Sequence, residues 1–255
     1  MLPPGTIVSL GLVLVRVSAF ILASPLLGTG SSFSGYKVGL IGGLSMLAFS
    51  TLDLPLDHSV GPLEFAAMGM REVLLGVALA SVLQIVMLAV RVAGEMIGHE
   101  MAFSMSSIVD PNTGVTTPLV TSIHEGFFLL GLLSLNGHHV LIRALAESFN
   151  RAPIGEIQFN LQLSENVLLL FTQMFTSGLT FAAPVLVLLV LVSLLIGLLA
   201  RAVPQLNILE VGFTLRIAMG MLAMFGFAPL LAPAMEQLFD ALDTGLGEML
   251  AAMGA

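Results

Sequence analysis

The sequence predicts an all-α, membrane-associated fold of about six long, partly kinked apolar helices arranged in hairpins. Three observations carry this. Of 255 residues, 57% are hydrophobic and 9% charged, where a typical soluble domain carries about 25% charged residues. Six apolar runs approach the roughly 20 residues that a spanning helix needs. The breaks between them are Gly, Ser and Pro-rich turns, with no linker that would separate soluble domains.

The first run, Ile7–Leu27, has no basic residues before it and continues past Arg16, longer than a signal-peptide core. It is expected to remain as the first helix. A Gly/Ser turn at 28–35 leads to Val38–Leu52, a short run. An acidic, Pro-rich loop, DLPLDHSVGP, precedes Phe65–Val90. Gly126–Ile142 is again short, and a segment with Pro153 and Gly155 follows it. Val167–Ala200 is too long: as one helix it measures about 50 Å against a hydrocarbon core of about 30 Å. No charge lies between Glu165 and Arg201, and Pro184 interrupts the run. Part of it is therefore expected outside the bilayer, covered by other subunits. The tip RAVPQLN closes a hairpin, because Pro204 disfavours helix at Val203. Val211–Ala232 is the sixth run, and an acidic tail begins at Glu236. If all six span, Lys37, Arg91 and Arg201 fall on one side and Arg71, Arg143 and Arg151 on the other. That balance gives no orientation.

Composition also excludes. Without cysteine there are no disulfides and no thiolate metal sites. A net charge of −8 with scattered basic residues argues against nucleic acid and against a polybasic lipid patch. His99-Glu100 and His124-Glu125 each lack the second histidine of HExxH, and there is no GxSxG or Walker loop. No enzyme, metal or cofactor is expected. Adjacent His138 and His139 are expected to diverge on a helix.

The stretch RVAGEMIGHEMAFSMSSIVDPNTGV, residues 91–115, is the one lipid does not tolerate unless protein or an aqueous path surrounds it. Arg91, Glu95 and His99 stand at i, i+4 and i+8 on one face, either lining a polar path or forming a self-neutralising structural charge face, the second reading being preferred. Met96, Met101 and Met105 near helical spacing, with Phe103, suit a pliable gasket, although core filling is the commoner use of methionine. Gly94 and Gly98, and the ladder Gly35, Gly39 and Gly43, are helix-packing positions. Thr172, Gln173, Thr176, Ser177 and Thr180 share a face suited to interhelical hydrogen bonds.

Four separate pieces in the same order resemble one family. LVRVSAFILASPLLG is similar to its opening helix. VAGEMIGHEMAFSMSSIVDPNTG is similar to its signature stretch, in Gly94-Glu95, Met101, Phe103, Ser104 and Asp110-Pro111. LNGHHVLIRALAESFNRAPIG contributes Asn136-Gly137-His138 and Ser148-Phe149 before Pro153, and ARAVPQLNILEVGFTLRIAMG contributes Pro204, Gln205, Leu206 and Asn207. Together, from about Leu12 to Leu231, they resemble the FliR, SpaR and YscT family of type III secretion export-gate proteins. The resemblance implies a FliP-like part at 1–165 that includes a plug loop, a FliQ-like hairpin at 166–235, and the acidic tail at 236–255. It implies a bacterial inner-membrane, multi-pass protein of the flagellar basal body. With FliP and FliQ homologues it forms a closed pore for unfolded substrate proteins, with FlhB and FlhA homologues nearby. The plug maps by motif to about Ser106–Thr117: Ser106, Ser107, Ile108, Val109, Asp110, Pro111, Asn112, Thr113 and Gly114 at its centre. The family's bulky plug aromatics are missing after Phe103. Pro204, Gln205, Leu206 and Asn207 form a hairpin tip for partner contacts. The alternative from another class is a secondary transporter or small ion channel, whose broken helices carry charges at mid-membrane.

Overall fold

The computed structural model describes residues 4–27, 34–51, 61–101, 119–154, 162–203, 205, 207–226 and 228–253. All regular structure among them is α-helical, in the order α1 (Pro4–Ala23), α2 (Ser34–Thr51), α3 (Pro62–Glu100), α4 (Leu119–Ser134), α5 (Gly137–Arg151), α6 (Gln162–Ala202), α7 (Ile208–Gly226) and α8 (Ala228–Met253). The all-α expectation is met, and the six apolar runs resolve into eight helices among the described residues.

The two extra helices have local causes. The run Gly126–Ile142 is cut by Leu135 and Asn136, where Asn136 sits at φ 59°, a left-handed conformation that asparagine tolerates better than most residues. His139 N–H donates to the Asn136 carbonyl at 2.9 Å and starts α5. The run Val211–Ala232 is divided between α7 and α8. In α6 the helix continues through Pro184 and stops at Ala202, as the proline at 204 requires.

Three described helices are long and apolar enough to cross a membrane: Gly5–Ala23, Pro62–Glu100 and Leu168–Ala202. The interrupted pair α4 and α5 makes a fourth if counted as one span. This is fewer than six, because glycine, serine and charge dilute α2, Asn136 splits the fourth run, and the sixth run is divided between α7 and α8.

Two compact units divide the chain: residues 1–85, 136–171 and 241–255, and residues 86–135 and 172–240. In the first, α1 buries Leu12, Val13, Val17, Phe20 and Ile21, and α3 buries Leu75, Leu79 and Leu83. Leu141, Leu145 and Phe149 of α5 and Leu242, Leu246 and Leu250 of α8 complete its core. The i, i+3, i+4 spacing of these positions puts each set on one helix face. In the second unit the buried residues include Val90, Ile97 and Met101 of α3, Phe128 and Leu132 of α4, and Phe181, Val185 and Leu189 of α6.

Glycines set the closest approaches. A Cβ on Gly76 would lie 2.5 Å from the Arg16 carbonyl oxygen, so α1 and α3 nearly touch there. Gly94 admits the Thr121 backbone, and Gly178 admits the Ala89 carbonyl. Gly39 and Gly43, two rungs of the ladder expected to pack α2, have nothing within 4 Å among the described residues, so there those two rungs are not a packing face.

Gly178→Leu should force α3 and α6 apart, since its Cβ would lie 2.7 Å from the Ala89 oxygen. The expected loss is about 1–3 kcal/mol or more, read as a lower thermal midpoint in detergent. Gly126→Leu, with nothing within 4 Å, should leave the midpoint unchanged.

Candidate functional site

The most heavily bonded side chain in the first unit is Arg16, in the middle of an apolar helix and fully buried. Its Nε donates to Glu72 Oε2 at 2.5 Å. Nη1 donates to the Ser148 carbonyl at 2.9 Å and to Ser148 Oγ at 3.3 Å, and Nη2 donates to the Ala152 carbonyl at 2.9 Å. The guanidinium also lies 4.3 Å from the Phe149 ring centroid. The last carbonyls of a helix run short of intrahelical donors, although that of Ser148 also accepts the Ala152 N–H at 2.9 Å, and a cation suits that negative end. Arg16 therefore completes the C-terminus of α5 while its charge is balanced by Glu72. Gly76 lies one turn after Glu72 on the same face of α3 and makes the approach short enough. Glu72 Oε1 is buried and has no hydrogen-bond partner among the described residues.

In the second unit, Arg91 Nε donates to Glu125 Oε1 of α4 at 2.6 Å, beside the Gly94–Thr121 contact. Arg91, Glu95 and His99 are all exposed. The expected pairing inside that helix face is corrected: Arg91 reaches across to α4. Antiparallel neighbours joined through a glycine contact bring Glu125 nearer than the i+4 carboxylate on the same helix. His124, one residue before, is buried and meets Phe181 edge-on at 5.6 Å.

The other expected site residues fall as follows. Met101 is fully buried, and its side chain occupies the space beside Gly220 of α7; Met96 is exposed. Phe103 and Met105, and the plug positions Ser106, Ser107, Ile108, Val109, Asp110, Pro111, Asn112, Thr113 and Gly114, lie outside the described residues. So do Pro204 and Leu206 of the hairpin tip, while Gln205 and Asn207 are exposed. Asn207 Nδ2 donates to Glu210 Oε2 at 3.3 Å. The hydroxyls of Thr176 and Thr180 donate to the carbonyls of Thr172 and Thr176 in their own helix, which corrects the expected interhelical role at those two positions. The rings of His138 and His139 lie 4.2 Å apart instead of diverging. They sit in the first turn after the Asn136 break, where the side chains are not held in the register of a helix interior.

Reading the residues one segment at a time missed Glu72 as the partner of Arg16. The signal was present: a charge inside an apolar helix needs a counter-charge, and Glu72 is the acid embedded in another apolar run.

The arginine joins two of the four quoted segments, LVRVSAF and ESFNRAP, which are more than 100 residues apart in the chain. A family model described as bacterial export proteins, family 1, matches residues 7–242. The chain belongs to this family. Flagellar biosynthetic protein FliR of Escherichia coli (strain K12) is 34% identical over 243 residues, covering 93% of this chain and 90% of that protein. The protein of the same name from Bacillus subtilis (strain 168) is 29% identical over 250 residues, covering 95% of each. That of Aquifex aeolicus (strain VF5) is 26% identical over 229 residues, covering 88% and 87%. For this member of the bacterial export proteins, the match spans both compact units and includes Arg16, Glu72, Ser148 and Phe149.

Glu72→Ala should leave Arg16 buried without its counter-charge and cost about 3–5 kcal/mol. The double change Arg16→Met with Glu72→Leu should recover most of that loss. Protease resistance of the detergent-solubilised protein measures both.

Proposed function

We propose that this chain is a component of the flagellar export apparatus and serves as the FliR-like subunit of its export gate. The observation that carries the reading is α6. It is 41 residues long, hence about 60 Å, or twice a hydrocarbon core. Its most apolar stretch is 28% buried, against 56% in α3. Lipid covers at most half of such a helix, so other protein chains must cover the rest. A subunit of a multi-chain membrane assembly meets that requirement, and the names of its relatives supply the assembly.

In this reading the chain joins FliP and FliQ homologues in a pore that passes unfolded proteins across the bacterial inner membrane. FlhB and FlhA homologues stand beside it in the flagellar basal body. Residues 1–165 act as the FliP-like part and 166–235 as the FliQ-like hairpin. Transport is steric and involves no covalent step by this chain. The segment Ser106–Thr117 is the plug, and Met96, Met101, Phe103 and Met105 lie before it as the gasket. The Arg91–Glu125 pair and the Gly94 contact hold the helix from which the plug departs. The tip Pro204–Asn207 meets partners.

A self-contained transporter is the second reading, favoured by the break between α4 and α5. It leaves the exposed apolar length of α6 without cover.

Deleting Val109–Asn112 should leave the gate assembled but leaky to ions, raising membrane conductance in cells that express the complex. Unchanged conductance in a correctly assembled variant refutes the plug assignment.

A further inference from the structure

The last turns of α3 are held by three glycine contacts, and the third differs in kind from the other two. Gly178 of α6 rests on the Ala89 carbonyl, and Gly94 rests on the Thr121 backbone of α4. Those two are mainly backbone contacts, and they part only if whole helices move. At the third, Gly220 of α7 receives a side chain. A Cβ there would lie 2.7 Å from both Cγ and Sδ of Met101 and 2.8 Å from its Cε. A side chain at 220 and the Met101 thioether therefore exclude one another. Met101 continues the buried stripe of Val90, Ala93 and Ile97 and is itself fully buried. Its N–H donates to the Ile97 carbonyl at 2.9 Å, so it extends the last turn of α3. On α7, Gly220 shares its buried face with Ala223 and Met224.

We propose that Met101 and Gly220 form a releasable catch, which fixes the end of α3 in the closed gate and parts when a substrate passes. Two physical reasons select this contact. An unbranched methionine has three rotatable bonds, so it leaves the hollow at Gly220 without moving a helix. The backbone contacts at Ala89 and Thr121 meanwhile keep the rest of α3 in place. Met101 also stands five residues before Ser106 in the chain, so release acts on the stem of the segment read as the plug. Burial of the thioether favours the docked state, and glycine at 220 is what makes the hollow. This rests on the reading of Ser106–Thr117 as a plug and adds what holds its stem.

The chain has no cysteine, so an introduced pair meets no competing thiol within it. A Cβ at Gly220 would lie 2.7 Å from Met101 Cγ, which is one bond from Met101 Cβ. That brings two cysteine Cβ atoms near the roughly 3.5–4.5 Å that a disulfide spans. The test places Met101→Cys with Gly220→Cys in the full-length chain, co-expressed with the other gate subunits. Oxidation should lower substrate secretion by about tenfold or more, because the covalent bond removes the released state, and reductant should restore it. A pair that is cross-linked by mass yet secretes like its reduced form overturns the catch. A pair that does not cross-link overturns the contact on which the catch stands. Gly220→Leu fills the hollow with a side chain of methionine's size and expels Met101. The assembled variant gate should conduct ions about tenfold more than wild type, since the docked state is lost. An assembled Gly220→Leu gate that stays sealed overturns the catch, and where this variant does not assemble the cysteine pair decides alone. Deletion of Val109–Asn112, measured beside it, separates the two readings. A leaky deletion beside a sealed Gly220→Leu gate overturns the catch alone, whereas a sealed deletion overturns the plug reading and the catch with it.

Discussion

An arginine buried completely in an apolar helix is a constraint that its surroundings must be built around. Arg16 satisfies it by spending every nitrogen: a carboxylate from α3, a carbonyl and hydroxyl from α5, and the carbonyl just past the end of α5. The ion pair offsets the charge, and the carbonyls use donors that would otherwise be stranded. The geometry works only because Gly76 lets the α1 and α3 backbones come within side-chain reach. Three helices of the first unit are thereby held in one register, and greasy packing alone would not impose such a register, since leucines accept many near-equivalent fits.

The second unit solves its polar problem at the edge. Its ion pair, Arg91 with Glu125, is partly exposed, with side-chain exposures of 52% and 20%. Such a pair adds little stability in water. Its use is positional, beside Gly94 and the Thr121 backbone, at the last described turns before residue 102. What the unit does not solve within itself is cover. Val187, Val190, Leu191, Leu194 and Leu198 of α6 lie exposed on one face, and exposed apolar surface on this scale marks contact with lipid or other chains.

Much of the fold was legible in the residues. Helices follow from long apolar runs, the α6 terminus from Pro204, and the membrane setting from the scarcity of charge. The split at Asn136 had a marker, since Asn136-Gly137 is a turn dipeptide, but it stands inside a run whose apolar residues on both sides suggest one continuous helix. The site was less legible. Spacing along one helix suggested Arg91 with Glu95 and a threonine ladder reaching outward. The actual partners were a residue on another helix for the first, and the helix's own carbonyls for the second.

The sequence by itself determined the secondary structure class, the membrane solvent and the family resemblance, since these depend on composition, periodicity and short motifs that are local in the chain. Only the tertiary structure decided which charges meet. Glu72 is 56 residues from Arg16 and Ser148 is 132; the apolar run around Glu72 marked it as an acid in need of a partner, but nothing local said which cation it meets, and nothing local distinguishes Ser148 from other serines. Pairing of buried charges is a property of where helices cross, and crossings are set by glycine contacts and packing that act across the whole chain.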